Sequence, residues 1–471
     1  MGGVFFYASA IVRCMDRPHE HNIGLVEDTV RQISSSKGEP EWMLELRLRA
    51  FALWQETEMP KWGPDLSGLD LANISYYSEP LHGASEDWGE VPDEIRDTFV
   101  ALGIPKAERE YLGGVGAQFD SGAVYHRLKA SLEAKGVIFE DMDVAVKKYP
   151  DIVRKHFMTS CVRIEEHKFS MLHAACWSGG TFIYVPNGVA VELPLQAYFR
   201  MNKMRSAQFE HTLIIVEEAA RLTYIEGCSA PQYVAASLHA GCVEIFVGKS
   251  AEMRYISIEN WSKNTYNLNT KKSIVAEDGN MMWVSGNMGA KVSMLYPSSI
   301  LLGDRSHSES LSIVVGGDGQ VQDVGAKAIL LGADTSASII SISIASGGSV
   351  VGYRGLVDVH GSARHALAHV VCDTLLLDGE SRSYAFPVTR VCGSTSSVSH
   401  EARVGRVNDD ALFYLKHLGF SEREAMRVLI GGFLHPIIKE LPLEYAVEFN
   451  RLIDIEFLEG ESRRSPHKAL S

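Results

Sequence analysis

The chain has 471 residues, 45 Lys and Arg against 59 Asp and Glu for a formal charge of −14, and 46% hydrophobic and 22% charged residues. That length holds about two to four structural units with a real core, and the composition excludes wholesale disorder. The acidic balance argues against a nucleic-acid binder, which needs a clustered basic face, and no apolar run reaches the ~18 residues of a membrane-spanning helix.

At the N-terminus the apolar stretch Val4–Val12 has no basic residue before it, and Phe6 stands where an acylation signal wants Ser or Thr; neither a signal peptide nor myristoylation is expected. From about residue 20 to 165 the pattern is helical. Glu41–Gln55 places Leu44, Leu48 and Phe51 on one face with Leu46, Leu53 and Trp54 beside them, and Pro40 stands near its start. Val91–Leu102 and Ala123–Lys135 read as further helices, and Pro60–Asp70, with Gly63, Pro64 and Gly68, as a loop.

From about 168 to 400 helical periodicity fades. Ile340-Ser341-Ile342-Ser343-Ile344 alternates with period two, the mark of a strand with one buried face. Short apolar segments at Thr181–Val185, Leu213–Val216, Val243–Val247, Leu311–Val315, Ala328–Leu331 and Ser349–Tyr353 continue the series, with turns such as Gly316–Gly319 and Gly347-Gly348 between them. This fits a sandwich, a barrel or a β-solenoid, and no strict repeat chooses among them. From about 408 helices return. Ser421-Glu422-Arg423-Glu424 is a capping box, Gly419 suits the end of the preceding helix, and Tyr445, Phe449, Leu452 and Ile453 follow Pro442 at helical spacing. The polar tail Glu461–Ser471 reads as disordered. The expected division is a helical domain over 1–167, a β core over 168–407 and a helical domain over 408–471.

Seven cysteines, at 14, 161, 176, 228, 242, 372 and 392, form no Cys-x-x-Cys pair, and an odd, scattered set suggests a reducing cytoplasm rather than a disulfide framework. Phosphate-binding, dinucleotide-binding and hydrolase motifs are missing. What remains is Cys372 on the apolar strand Cys372–Leu377, 28 residues before His400-Glu401. Thiolate, imidazole and carboxylate together can hold iron; a cysteine on an apolar strand also reads as a small buried hydrophobe.

A series of segments in one order decides more: Glu39–Leu44, Thr181–Pro186, Tyr198–Asn202, Tyr224-Ile225-Glu226-Gly227-Cys228-Ser229-Ala230-Pro231, Asn260-Trp261-Ser262, Tyr353–Val357, Cys372-Asp373, His400-Glu401-Ala402 and Leu441–Ala446. On these residues the chain resembles the SufB/SufD family of the SUF iron–sulfur cluster assembly machinery, its SufB scaffold branch in particular, from about residue 20 to 460. The resemblance implies a right-handed parallel β-helix between helical ends. It implies partners as well: a SufD-like paralogue, a SufC-like ATPase docked on the segment around 408–458, and a sulfur-donating desulfurase, with a homodimer open to the isolated chain.

By the same resemblance Cys372 and Glu401, with His400 beside them, are ligands of a transient nascent iron–sulfur cluster. Cys228 is the sulfur acceptor, and Arg200 and Asn202 line the sulfur path. Persulfide transfer wants an accessible thiolate of lowered pKa, and the turn between Gly227 and Pro231 is expected to expose Cys228; the bland alternative is a buried core thiol. Arg200 can stabilise an anionic sulfur, or simply serve a surface salt bridge. Some family complexes bind reduced FAD; nothing in the sequence shows a site for it, and Trp261 and Trp283 read as core aromatics. Cys161, Cys176 and Cys242 read as structural; Cys392 is a weak candidate neighbour of Cys372, and Cys14 has no assigned role.

Three positions depart from the family pattern. Ser341-Ile342-Ser343 stands for Ser-Lys-Ser, Gly405-Arg406-Val407 for Ser-Lys-Ile, and Ala385 before Phe386-Pro387 for Thr. The expected function is a cluster-assembly scaffold rather than an enzyme, with ATP hydrolysis left to the SufC-like partner. A SufD-like interaction subunit is the alternative. A carbohydrate-active β-helix enzyme would need paired carboxylates that the sequence does not cluster.

Overall fold

A computed structural model describes residues 23–78, 112–201, 205–230, 236–393 and 395–439. Cys14, Asn202, the expected helix at 91–102 and the one after Pro442 lie outside these residues.

The middle of the chain winds into a parallel β-solenoid of about eight turns. One column of paired residues runs Arg221, Glu252, Asn280, His307, Ser336, Leu367, Ser397, so each turn takes 27 to 31 residues. That variable step is why no strict repeat shows in the sequence. Two residues before each of the first six, the chain turns a corner through a left-handed residue, Ala219, Ser250, Asp278, Arg305, Asp334 and His365, with φ between +54° and +56°. The Gly347-Gly348 turn likewise has both φ values positive.

Side chains alternate between the inside and the outside of the tube. Leu222, Tyr224, Met253, Tyr255, Trp283, Ile339 and Val370 share the interior cluster with Trp261. Ile225, Ile256, Val284, Leu311, Ile313, Ile342 and Ile344 face out and pack under Ile430 and Leu434 of the C-terminal helix Glu422–Ile438. The strand Ser336–Ala345 therefore has two buried faces, where one was expected. Ile340, Ile342 and Ile344 lie under a helix while Ile339, Ser341 and Ser343 point inward, so the family lysine position at Ile342 faces the helix and not the tube. The Ser421 capping box is formed, with Ser421 N donating to Glu424 Oε2 at 2.8 Å and Glu424 N to Ser421 Oγ at 3.3 Å.

The N-terminal helices Glu27–Lys37 and Glu41–Glu56 pack against helix Lys168–Cys176. The fully buried residues of Glu41–Glu56 are Met43, Arg47, Ala50 and Phe51; of the face expected, Phe51 is among them, while Leu46, Leu48, Leu53 and Trp54 pack partly buried beside it. Arg47 is tolerated there because its guanidinium pairs with Glu39 and donates to the Ala175 and Trp177 carbonyls at 3.1 and 3.0 Å, satisfying the end of Lys168–Cys176. The expected helix at Ala123–Lys135 is instead the strand Gly122–Leu128 followed by one turn, Ala130–Glu133. Gly114, Gly116 and the Asp120-Ser121-Gly122 turn favour a hairpin, whose antiparallel partner Gly114–Phe119 pairs in turn with Leu195–Arg200 of the first turn. Ile138–Asp141 covers Gly180–Val185 in the same way. At the other end, the strands Arg382–Val391 and Ser397–Arg406 each pair on one side only among the described residues.

Candidate functional site

At that open end Cys372 lies on Leu367–Leu376, and His400 and Glu401 on the last strand, Ser397–Arg406. Cys372 pairs with Ala402 and Val370 with His400, so both functional side chains fall on the inward face. The Cys372 Sγ is 3.1 Å from His400 Nε2 and 3.4 Å from the Glu401 carbonyl oxygen. Burial, reinforced by the neighbouring Asp373 charge, pushes the thiol up to about 11, and burial lowers His400 below its usual value. At neutral pH this is a protonated thiol beside a neutral imidazole, and a metal arriving there takes the thiol proton's place.

Glu401 is not brought to the pair. Its carboxylate falls on the outer face with Asp373 and Arg403, where Arg403 donates to Asp373 at 3.0 Å and approaches Glu401 at 4.0 Å. It touches Cys372 only through its backbone. Cys392 is exposed beyond the other strand of this turn.

Cys228 does not sit in an exposing turn. It ends the strand Arg221–Ser229 on the inward face and is 2% exposed. Burial, then the charges of Glu226, Glu259 and Glu210, drive its thiol well above the usual range, with Lys271 opposing. The expected accessible, acidified thiolate is therefore absent from this conformation. Arg200 stands on the next strand and donates to Ser229 Oγ at 2.8 Å, as Tyr198 does. Its Nε is buried and finds no acceptor among the described residues.

Around Cys228 lies a buried polar chain that sequence reasoning missed. Glu226 Oε1 is 3.8 Å from the Cys228 sulfur, Lys271 is 3.6 Å from Glu226 and 2.7 Å from Glu259, Asn267 donates to Glu259 at 2.6 Å, and His239 bridges Asn267 and Glu210 at 2.8 and 2.5 Å. Despite burial, Lys271 and His239 hold Glu259 down to about 2. The signal was parity: Glu226 and Cys228 occupy the same alternate positions as the inward Leu222 and Tyr224.

From Glu226 to Cys372 one inward column reads Glu226, Ser257, Ser285, Ser312, Ser341, Cys372. Five strand spacings span about 24 Å. Ser312 and Ser341 hydroxyls meet at 3.0 Å, and Asn287 reaches Ser285 at 3.4 Å. One inward column between the two cysteines is thus of small hydroxyls, inside a tube otherwise packed by apolar groups such as Tyr255, Trp283 and Ile339.

Residues 199–433 match the family described as SUF system FeS cluster assembly, SufBD core domain, and residues 118–197 the SufBD protein N-terminal region. The chain belongs to the SufBD family. Iron–sulfur cluster assembly SufBD family proteins of Staphylococcus aureus strains MRSA252 and USA300 are 49% identical over 437 residues, 93% of this chain and 94% of theirs. The corresponding Staphylococcus haemolyticus protein is similar to the same extent. A SufBD member is a component of cluster assembly, which fits a chain without a generic catalytic motif. No helix among the described residues is long and apolar enough to cross a membrane.

Proposed function

We propose that this SufBD protein is the scaffold subunit of a cytoplasmic SUF assembly complex. It receives persulfide sulfur at Cys228 and builds a transient cluster at Cys372 and His400, with Glu401 reaching the same edge from the outer face. The observation that carries this reading is the Cys372–His400 pair at an open strand edge, joined to Cys228 by the interior serine column. Arg200, on the strand paired with that of Cys228 but bonded to Ser229 on the opposite face, and Asn202 are assigned to the sulfur path by the family resemblance.

Exposed Phe386, Val388, Val391 and Val404 beside the open edge fit a second solenoid, the SufD-like paralogue. Exposed Phe413 and Tyr414 on helix Asp409–His417, with Leu418 and Phe420 in the link that follows it, fit the ATPase subunit, which would hydrolyse ATP. The burial and raised pKa of Cys228 favour one competing reading, a SufD-like interaction subunit that no longer handles sulfur.

The test is anaerobic reconstitution with iron and a desulfurase of the chain coexpressed with its partners, comparing wild type, Cys228→Ala, Cys372→Ala and Glu401→Ala. The scaffold reading expects visible charge-transfer absorption that both cysteine variants lose. A colourless wild-type complex would establish the interaction-subunit reading instead.

A further inference from the structure

Where helix Lys168–Cys176 meets the solenoid, His173, His211 and Cys242 bring three ligand atoms within 4.8 Å of one another. All three residues are buried, at no more than 1% exposure. His173 comes from the helix, while His211 and Cys242 open two successive strands and are paired in register.

The outer nitrogen of each imidazole faces an oxygen. His173 Nδ1 lies 2.9 Å from the Ala240 carbonyl oxygen. A carbonyl only accepts, so Nδ1 carries the proton and Nε2 presents a lone pair. That Nε2 faces His211 Nδ1 at 3.0 Å. On the far side of the ring, His211 Nε2 is 3.2 Å from Glu244 Oε2 but makes no aligned hydrogen bond. Glu244 already accepts the Met158 and Val162 backbone N–H groups at 2.6 and 2.9 Å.

With nothing between the rings, His211 places its one proton on Nδ1 to meet His173, and its buried Nε2 is left without an aligned partner although the Glu244 carboxyl stands beside it. An ion among the inner nitrogens and the Cys242 sulfur gives that nitrogen a role. Both inner nitrogens then ligate through lone pairs, and His211 moves its proton to Nε2 and donates to Glu244. A ligating histidine whose outer N–H is held by a carbonyl or a carboxylate is the usual outer arrangement of a metal site.

We propose that His173, His211 and Cys242 form a structural site for a divalent zinc-class ion, separate from the assembly site at Cys372. Metal–nitrogen bonds of about 2.0–2.1 Å at tetrahedral angles put two nitrogens about 3.3 Å apart, so the rings part by only a few tenths of an ångström. Two imidazoles and one thiolate suit zinc better than calcium or magnesium. Binding releases the Cys242 thiol proton and the proton that burial keeps on Glu244 to solvent, and the resulting thiolate and carboxylate balance the ion's charge. The ion fastens the helical cap to two turns of the solenoid.

The test unfolds the full chain with a chelator and refolds it with cobalt(II) or zinc(II). A Cys228→Ala/Cys372→Ala background removes the sulfur and cluster cysteines. Refolded with cobalt, this background should show thiolate-to-cobalt absorption and hold about one metal per chain against dialysis. Adding Cys242→Ala should abolish the absorption, and zinc should raise the melting temperature only while Cys242 is present. A refolded background that binds no cobalt and melts identically with and without zinc overturns the proposal. So does absorption that persists in the folded Cys242→Ala variant.

Discussion

The Cys372 sulfur and the His400 Nε2 lie 3.1 Å apart across the last two strands of one sheet, a protonated thiol against a neutral ring. Iron must displace that proton, and the thiol is held up to about 11. Iron(II) retention by the assembled complex is therefore expected to rise about tenfold per pH unit between roughly pH 6 and 9. Cys372→Ala should remove the pH dependence with the binding, and His400→Ala should weaken retention about 10–100-fold. Anaerobic iron titration at three pH values reads both; a flat profile in wild type would show that the thiol proton is not the one displaced.

Replacing Phe386 and Val388 by Asp tests the open edge. Both are nearly half exposed, at 49% and 46%, so the substitutions should shift the stability of the chain alone by only about 0.5 kcal/mol. Pairing with a second solenoid should be lost, read by light scattering of coexpressed subunits. Unimpaired pairing would place the interface elsewhere.

Acid should loosen the helical cap through His167. Its Nδ1 accepts the Ser170 N–H at 3.1 Å, capping helix Lys168–Cys176, and burial lowers its pKa to about 4 from 6.5. Between those values the unfolded chain binds a proton that the folded one refuses, so stability falls as pH drops from about 6.5 to 4, by on the order of 3 kcal/mol. His167→Asn keeps an acceptor without the titration and should remove the His167 share of this limb, leaving the shares of the buried His126, His173 and His211 in place. Denaturant melts at pH 7 and 4.5 compare the two chains; parallel losses would exonerate His167.

The corner at Ala219 offers a backbone test. Its φ of +54° is costly for a residue with a Cβ and severe for a β-branched one. Since the side chain is exposed, Ala219→Val should cost about 1–2 kcal/mol without touching any packing, while Ala219→Gly should be neutral or slightly stabilising. Equal melting temperatures for all three would mean the corner relaxes.

Strand positions, the Gly347-Gly348 turn and the Ser421 cap were legible because each is set by residues within a few positions of one another. The solenoid itself came from the family resemblance, since its stacked residues are about thirty apart and differ in kind. The glycine-rich hairpin at 114–128 was misread as helix over its second strand, where tertiary pairing outweighed propensity. Cys372 and His400 were readable together, but the side to which Glu401 turns depends on strand parity at a sheet edge. Ser341 and Ser343 were read as the wet face of a strand. Only the burial of Ile342 and Ile344 under a helix shows that the serines line the inside. The depth of Cys228 was hidden for the same reason, because Gly227 and Pro231 suggested a turn where the chain continues as strand.

The solenoid is asymmetric along its axis, with the first turn covered by Gly114–Phe119 and Ile138–Asp141 and the last turn paired on one side only among the described residues. A rod with one adhesive end has only one way to associate through it, tip to tip. Once two such rods meet, no free strand edge is left for a third. For the proposed pairing, the blocked end would therefore make a pair the terminus of growth rather than the first link of a fibre.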